Sequence, residues 1–142
     1  MKFQLLDEII EQSSDRIVAI KQVSLAEEYL ADHFPTFPVL PGVLMIETMI
    51  QAARRMLTPR GNARLVLGEV KALKFGSMVR PGEILHVEVK LQKELGEDCY
   101  VCKGTGTVIR DHVKKSGSDD PSTAGSETAV SGRFTMRPIR IN

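Results

Sequence analysis

The chain lacks an excess of charge of either sign: 19 Lys and Arg stand against 18 Asp and Glu, a net charge of +1. A nucleic-acid binder shows a strong basic excess, so no nucleic-acid partner is expected. Also missing is any unbroken apolar run of about 20 residues, the length needed to cross a bilayer, so no membrane span is expected. No basic-then-apolar leader opens the sequence, which makes the cytoplasm the expected compartment. Cysteine is scarce. Cys99 and Cys102 form one C-x-x-C pair, with no second pair and no nearby H-x-x-x-H. A structural zinc site wants about four ligands, and residues three apart on a strand face opposite ways. The pair therefore reads as strand packing, and neither a metal nor a redox centre is expected. No internal repeat is visible, and the 142 residues are expected to form one domain spanning 1–142.

What the chain has is concentrated between His33 and Leu57. Val43, Leu44, Met45, Ile46, Met49, Ile50, Ala52, Ala53, Met56 and Leu57 leave almost no hydrophilic face. A helix that is apolar nearly all round is a buried helix. Pro41 suits the first helical turn, and Gly42 lets a partner approach the backbone closely. Free N–H groups then point out of the helix start. Glu47 and Gln51 interrupt the apolar surface one turn apart, on one face, where they can hydrogen-bond each other. Burial without a paired cation raises a carboxyl pKa, which would let Glu47 hold and donate a proton. Before the helix, Pro35, Pro38 and Pro41 make a stiff strap that places His33 at a fixed reach from the helix start.

Around this stretch the chain reads as follows. Met1 to Gln12 is expected to be a short helix or irregular cover. Arg16 to Val23 is expected as a strand covered on both faces, and Ser24 as a cap for a short segment from Leu25 to Leu30. Ala63 to Phe75 reads as a strand with a bulge at Gly68. Ile84 to Glu94 alternates cleanly, with Leu85, Val87, Val89 and Leu91 on one face. Cys99 to Arg110 returns as a strand whose Gly104 and Gly106 leave room for a helix. A mobile hairpin loop is expected at about 114–128, rich in Ser, Gly, Asp and Thr. Ala129 to Ile139 closes the sheet. His86 and His112 are expected to face solvent. Strands gathered after one helix predict an α+β fold with a mainly antiparallel sheet, four of its strands in meander.

His33-Phe34-Pro35, Pro38 through Leu44, Ile46-Glu47 and Gln51-Ala52-Ala53 together resemble the central motif of the FabZ type of (3R)-hydroxyacyl-acyl carrier protein dehydratases. Arg16 through Lys21, Lys74-Phe75 and Arg80-Pro81-Gly82-Glu83 extend the likeness over roughly residues 5–110. The resemblance implies the hotdog fold, a curved sheet wrapped round one long helix. It also implies dehydration of (3R)-3-hydroxyacyl thioesters, bound to acyl carrier protein, to trans-2-enoyl thioesters. In that scheme His33 removes the C2 proton, Gly42 and Val43 at the helix start bind the thioester carbonyl, and Glu47 protonates the departing hydroxyl. Gln51 and Pro41 support the site, and Arg54, Lys74 and Arg80 are candidates to meet the carrier protein.

The acid of such enzymes comes from the other subunit. That implies a homodimer with shared sites, open to assembly as a trimer of dimers, with no cofactor or metal. Two departures stand out. Only Leu5-Leu6-Asp7 matches the family's N-terminal Pro-His-Arg-x-Pro-Phe-Leu-Leu-Val-Asp stretch, and Asp32 replaces the glycine before the histidine. Asp32 either raises the imidazole pKa or points away into solvent. The alternatives are a hotdog acyl thioesterase and a non-catalytic acyl-binding subunit of a heteromeric dehydratase.

Overall fold

The computed structural model describes residues 3–61, 64–110 and 126–141. Its strands are β1 (Glu8–Gln12), β2 (Arg16–Gln22), β3 (Leu65–Phe75), β4 (Ile84–Gly96), β5 (Cys99–Ile109) and β6 (Ser126–Pro138), and its helices are α1 (Tyr29–Asp32) and α2 (Gly42–Leu57). One six-stranded sheet runs in the order β1-β2-β4-β5-β6-β3, with every neighbouring pair antiparallel. The sheet curls round α2, which touches β2 through β6. This is the hotdog arrangement.

Alternation builds the inner surface. In β4, Leu85, Val87 and Val89 are fully buried, and the intervening His86, Glu88 and Lys90 point to the wetter face. Tyr100, Cys102 and Val108 do the same in β5, so Cys102 is buried while Cys99 is half-exposed on the opposite face. From α2 come Met45, Met49, Ile50, Ala52, Ala53, Met56 and Leu57. Each of the Met, Ile and Leu side chains removed from water contributes about 1.5–3 kcal/mol, and the alanines less. The helix comes close because β5 offers glycine: a Cβ on Gly104 would lie 2.6 Å from Met49 Sδ. Bulges break β3 between Leu67 and Glu69, as Gly68 suggested, and again between Lys71 and Lys74, where Ala72 has a positive φ of 52°.

Several expectations need correction. Residues 8–12 are a strand, because the outer edge of β2 offers unpaired backbone groups and Ile9 can rest against the core. Helix α1 starts only at Tyr29; Ser24 Oγ accepts the Ala26 N–H in a turn that precedes it. Pro41 is the N-cap, with ψ 139°, and does not sit within the first turn. Nor is α2 buried all round, since the sheet covers one side and Val43 stays 69% exposed. The strap folds into a tight turn, the Phe37 N–H donating to Phe34 O at 2.9 Å with Phe34 at φ 61°. Strand β3 pairs with β6 and not with its chain neighbour β4, so only β4, β5 and β6 form a meander. Strand β6 already begins at Ser126, which removes residues 126–128 from the expected loop. The rest of that loop, and His112, lie outside the described residues. His86 is half-exposed. Among the described residues no helix is long and apolar enough to cross a membrane.

Candidate active site

The start of α2 is built to leave amides open. Proline at the N-cap has no N–H and no capping side chain, and its carbonyl takes the N–H groups of Leu44 (3.0 Å) and Met45 (3.2 Å). No acceptor among the described residues takes the N–H of Gly42 or Val43. These two donors sit at the positive end of a 16-residue helix. Glycine at position 42 lets the Phe75 ring lie against the helix start: a Cβ would fall 2.7 Å from Phe75 Cε1 and 2.9 Å from Cζ.

Beside this helix start lies a hollow of about 380 Å³. Val39, Leu40, Met45 and Ala129 are its buried floor, and Phe34, Val43, Phe75 and Met78 its exposed rim. His33 lines the same hollow as Gly42 and Val43. Its ring packs at 4.4 Å against that of Phe34, and the imidazole makes no hydrogen bond to the described residues. The left-handed Phe34 costs about 1–2 kcal/mol, the kind of local strain that collects at functional sites. Asp32 is exposed next to His33 and makes no ion pair with the described residues.

Glu47 opens elsewhere. It lines a second hollow of about 860 Å³ with Gln51, Arg54 and Arg55, walled by the N-terminal segment. Gln51 Nε2 donates to Glu47 Oε1 at 3.2 Å, the expected one-turn bond, and also to Phe3 O at 2.8 Å. The same side chain accepts the Leu5 N–H at 2.9 Å through Oε1. Gln51 therefore orients the carboxyl group and pins the divergent N-terminus to the helix. Within one chain Glu47 is half-exposed and lines no part of the His33 hollow.

The three candidate basic residues do not gather. Arg54 donates through Nε to Leu65 O at 3.0 Å beside Glu47. Arg80 lies 4.8 Å above the Phe37 ring, next to the strap. Lys74 lines a separate depression with Lys103 and Arg133.

Two buried charged groups escaped the sequence reading. Glu83 accepts from Arg110 Nε at 3.1 Å, and Arg110 Nη2 donates to Met78 O at 2.9 Å, fixing one wall of the His33 hollow. Lys21 pairs with Glu27, just ahead of α1 in the chain. The available signal was a lysine on the same strand face as Ile17 and Ala19. Burial pushes the Cys102 thiol up to about 12, so it stays protonated and un-nucleophilic near neutral pH. Among the described residues no group of His, Cys, Asp or Glu is placed to hold a metal ion.

The arrangement offers an imidazole beside unpartnered amide donors, and a carboxyl group carried on the helix that bears those donors but opening onto another hollow. Donors of this kind stabilise negative charge developing on a carbonyl oxygen, and imidazole can take a proton near pH 7.

Comparison with known proteins shows what the chain as a whole is similar to. The 3-hydroxyacyl-[acyl-carrier-protein] dehydratase FabZ of Pseudothermotoga lettingae is 43% identical over 94 residues, covering 65% of this chain and 67% of that protein. The protein of the same name from Solibacter usitatus is 39% identical over 95 residues, covering 64% of this chain and 59% of its own length. Among solved structures, the dehydratase heterocomplex ApeI:P from Xenorhabdus doucetiae superposes with a TM-score of 0.68 at 17% identity, over 96% of this chain and 99% of that one, a likeness of fold. Residues 9–110 match the ApeI-like family of ApeI dehydratases, and the chain belongs to that family.

Proposed function

We propose that this protein removes water from (3R)-3-hydroxyacyl thioesters carried on acyl carrier protein, giving trans-2-enoyl thioesters in fatty acid or related acyl-chain synthesis in the cytoplasm. The observation that carries the reading is the apolar hollow in which His33 meets the unpartnered amides of Gly42 and Val43. The thioester carbonyl accepts from those amides, which acidifies the C2–H bond. His33 takes the C2 proton, the electron pair moves to form the C2–C3 double bond, and the C3 hydroxyl leaves as water with a proton from Glu47. Each turnover leaves imidazolium and carboxylate, which exchange a proton through solvent before the next.

Glu47 reaches this site from a second protomer. Three features support a shared-site homodimer, which could assemble further as a trimer of dimers. His33 and Glu47 open onto different hollows of one chain. Strand β3, bonded on one side to β6, is the last strand of the sheet among the described residues, and such an edge is a template for pairing with another copy. Phe34, Phe37, Val43, Phe75 and Met78 are all exposed near the hollow, an apolar patch of the kind that marks an interface. Arg80, stacked on Phe37 by that rim, is the basic residue best placed for the phosphate of a pantetheine arm.

The test is hydration of a crotonyl-type thioester by wild type, His33→Ala and Glu47→Gln. Loss of about 100-fold or more from each is expected of a general base and a general acid. Full activity in either variant refutes the assignment of that residue. Release of free thiol without any enoyl product from a 3-hydroxyacyl substrate would make the protein a thioesterase.

A further inference from the structure

The base of the proposed site has no polar side chain to orient it among the described residues. The His33 imidazole has no hydrogen-bonding partner among the described residues, and its one ring contact is to Phe34, itself largely exposed. His33 is the C-cap of α1, a helix of only 4 residues. A helix that short does not hold itself in place. Leu30 roots the segment in the core and Tyr29 packs beside it, and what remains to be set is the orientation of the turn that carries His33.

Lys21, 3% exposed, projects from β2 on the face shared by Ile17 and Ala19. Its ammonium pairs with Glu27 Oε1. The other carboxylate oxygen of Glu27 accepts the Ser24 N–H at 3.2 Å, and the Glu27 carbonyl accepts the Leu30 N–H at 3.1 Å in the first turn of α1. One residue thus joins the inner face of the sheet to the start of the helix that ends in His33. A buried ion pair is a poor way to gain stability, since an uncharged pair of similar size commonly does as well. Its value lies in specifying a single arrangement.

We propose that Lys21 and Glu27 are positioning residues that hold α1, and through it the His33 imidazole, at its working distance from the Gly42 and Val43 amides. The inference rests on the proposed dehydratase function for its kinetic arm alone. Neither residue lines the His33 hollow, so substrate binding is left as it was while the base is displaced.

The test is the double variant Lys21→Met/Glu27→Gln, which removes both charges together and keeps an amide oxygen for the Ser24 N–H. Its thermal midpoint is expected to stay at or above that of wild type. In thioester hydration kcat is expected to fall about tenfold or more, with KM within about threefold, because a displacement of about 1 Å costs that much or more. With histidines labelled by carbon-13, the His33 ring signal, assigned by its absence in His33→Ala, is expected to shift or broaden in the double variant. The His86 signal, from the other face of the sheet, stays in place. A kcat within about twofold of wild type together with an unmoved His33 signal overturns the proposal. Unchanged hydration by His33→Ala would refute the dehydratase reading, and the ring signal would still decide whether the pair positions the histidine.

Discussion

If the acid of one protomer serves the base of the other, His33→Ala and Glu47→Gln subunits, each inactive as a homodimer, recover activity when mixed. The structural ground is that His33 shares its hollow with Gly42 and Val43, whereas Glu47 and Gln51 line another. Each variant alone loses about 100-fold, or about 2.7 kcal/mol of transition-state stabilisation. Dissociating the two in denaturant and refolding them at equal amounts gives about half mixed dimers by random pairing. In a mixed dimer one site has lost both groups and the other has kept both. About one quarter of wild-type sites are therefore restored, some 25-fold above either variant. Were acid and base supplied by the same chain, no dimer of any composition would contain a complete site. The assay is hydration of a crotonyl-type thioester, with mixed dimers of differently tagged subunits counted by native mass spectrometry. Mixed dimers present at about half of the total, with activity no higher than the sum of the two parents, would refute the shared site.

Other expectations concern the frame round the site. Gly42→Ala places a methyl 2.7 Å from the Phe75 ring, which is 53% exposed and free to swing. Urea unfolding should change by no more than about 1 kcal/mol, while kcat/KM falls about tenfold as the ring is pushed across the hollow. Gly104→Ala meets Met49 and Phe134 in the closed core and should cost about 1–3 kcal/mol in the same unfolding assay. Arg16 bonding holds the Glu88 carboxyl below its usual 4.5, so that pair stabilises the fold above this value and the benefit is lost as pH falls through the depressed value. Glu88→Gln should therefore lower the thermal midpoint at pH 7, with the difference closing below pH 4.5.

The parts of the fold that could be read from the sequence are those where periodicity records burial. Ile84 through Leu91 alternates because one face is closed by α2, and the glycines of β5 mark where that helix comes near. Strand β1 left no such trace: it has a single neighbour and only Ile9 half-covered, so no regular pattern is imposed on Glu8–Gln12. The pairing of β3 with β6 joins residues far apart in the chain, and nothing local encodes which strand an edge will meet. His33, Gly42 and Glu47 stood out as candidates because they fall on one contiguous stretch around a helix start. That Glu47 faces a different hollow depends on how the N-terminal segment packs, which Gln51 decides by bonding Phe3 and Leu5. Prolines announced a stiff strap but not the left-handed turn at Phe34.

The pairing of an early strand with the last one has a consequence for synthesis. During translation β3 and the helix before it emerge well ahead of β6, and at about 5–20 residues per second the wait lasts some seconds. Throughout that interval the inner edge of β3, destined for β6, has no mate and the oily side of α2 lacks much of its cover. A nascent chain in this condition invites holdase binding and premature association with its siblings, hazards that end only when the final strand clears the ribosome.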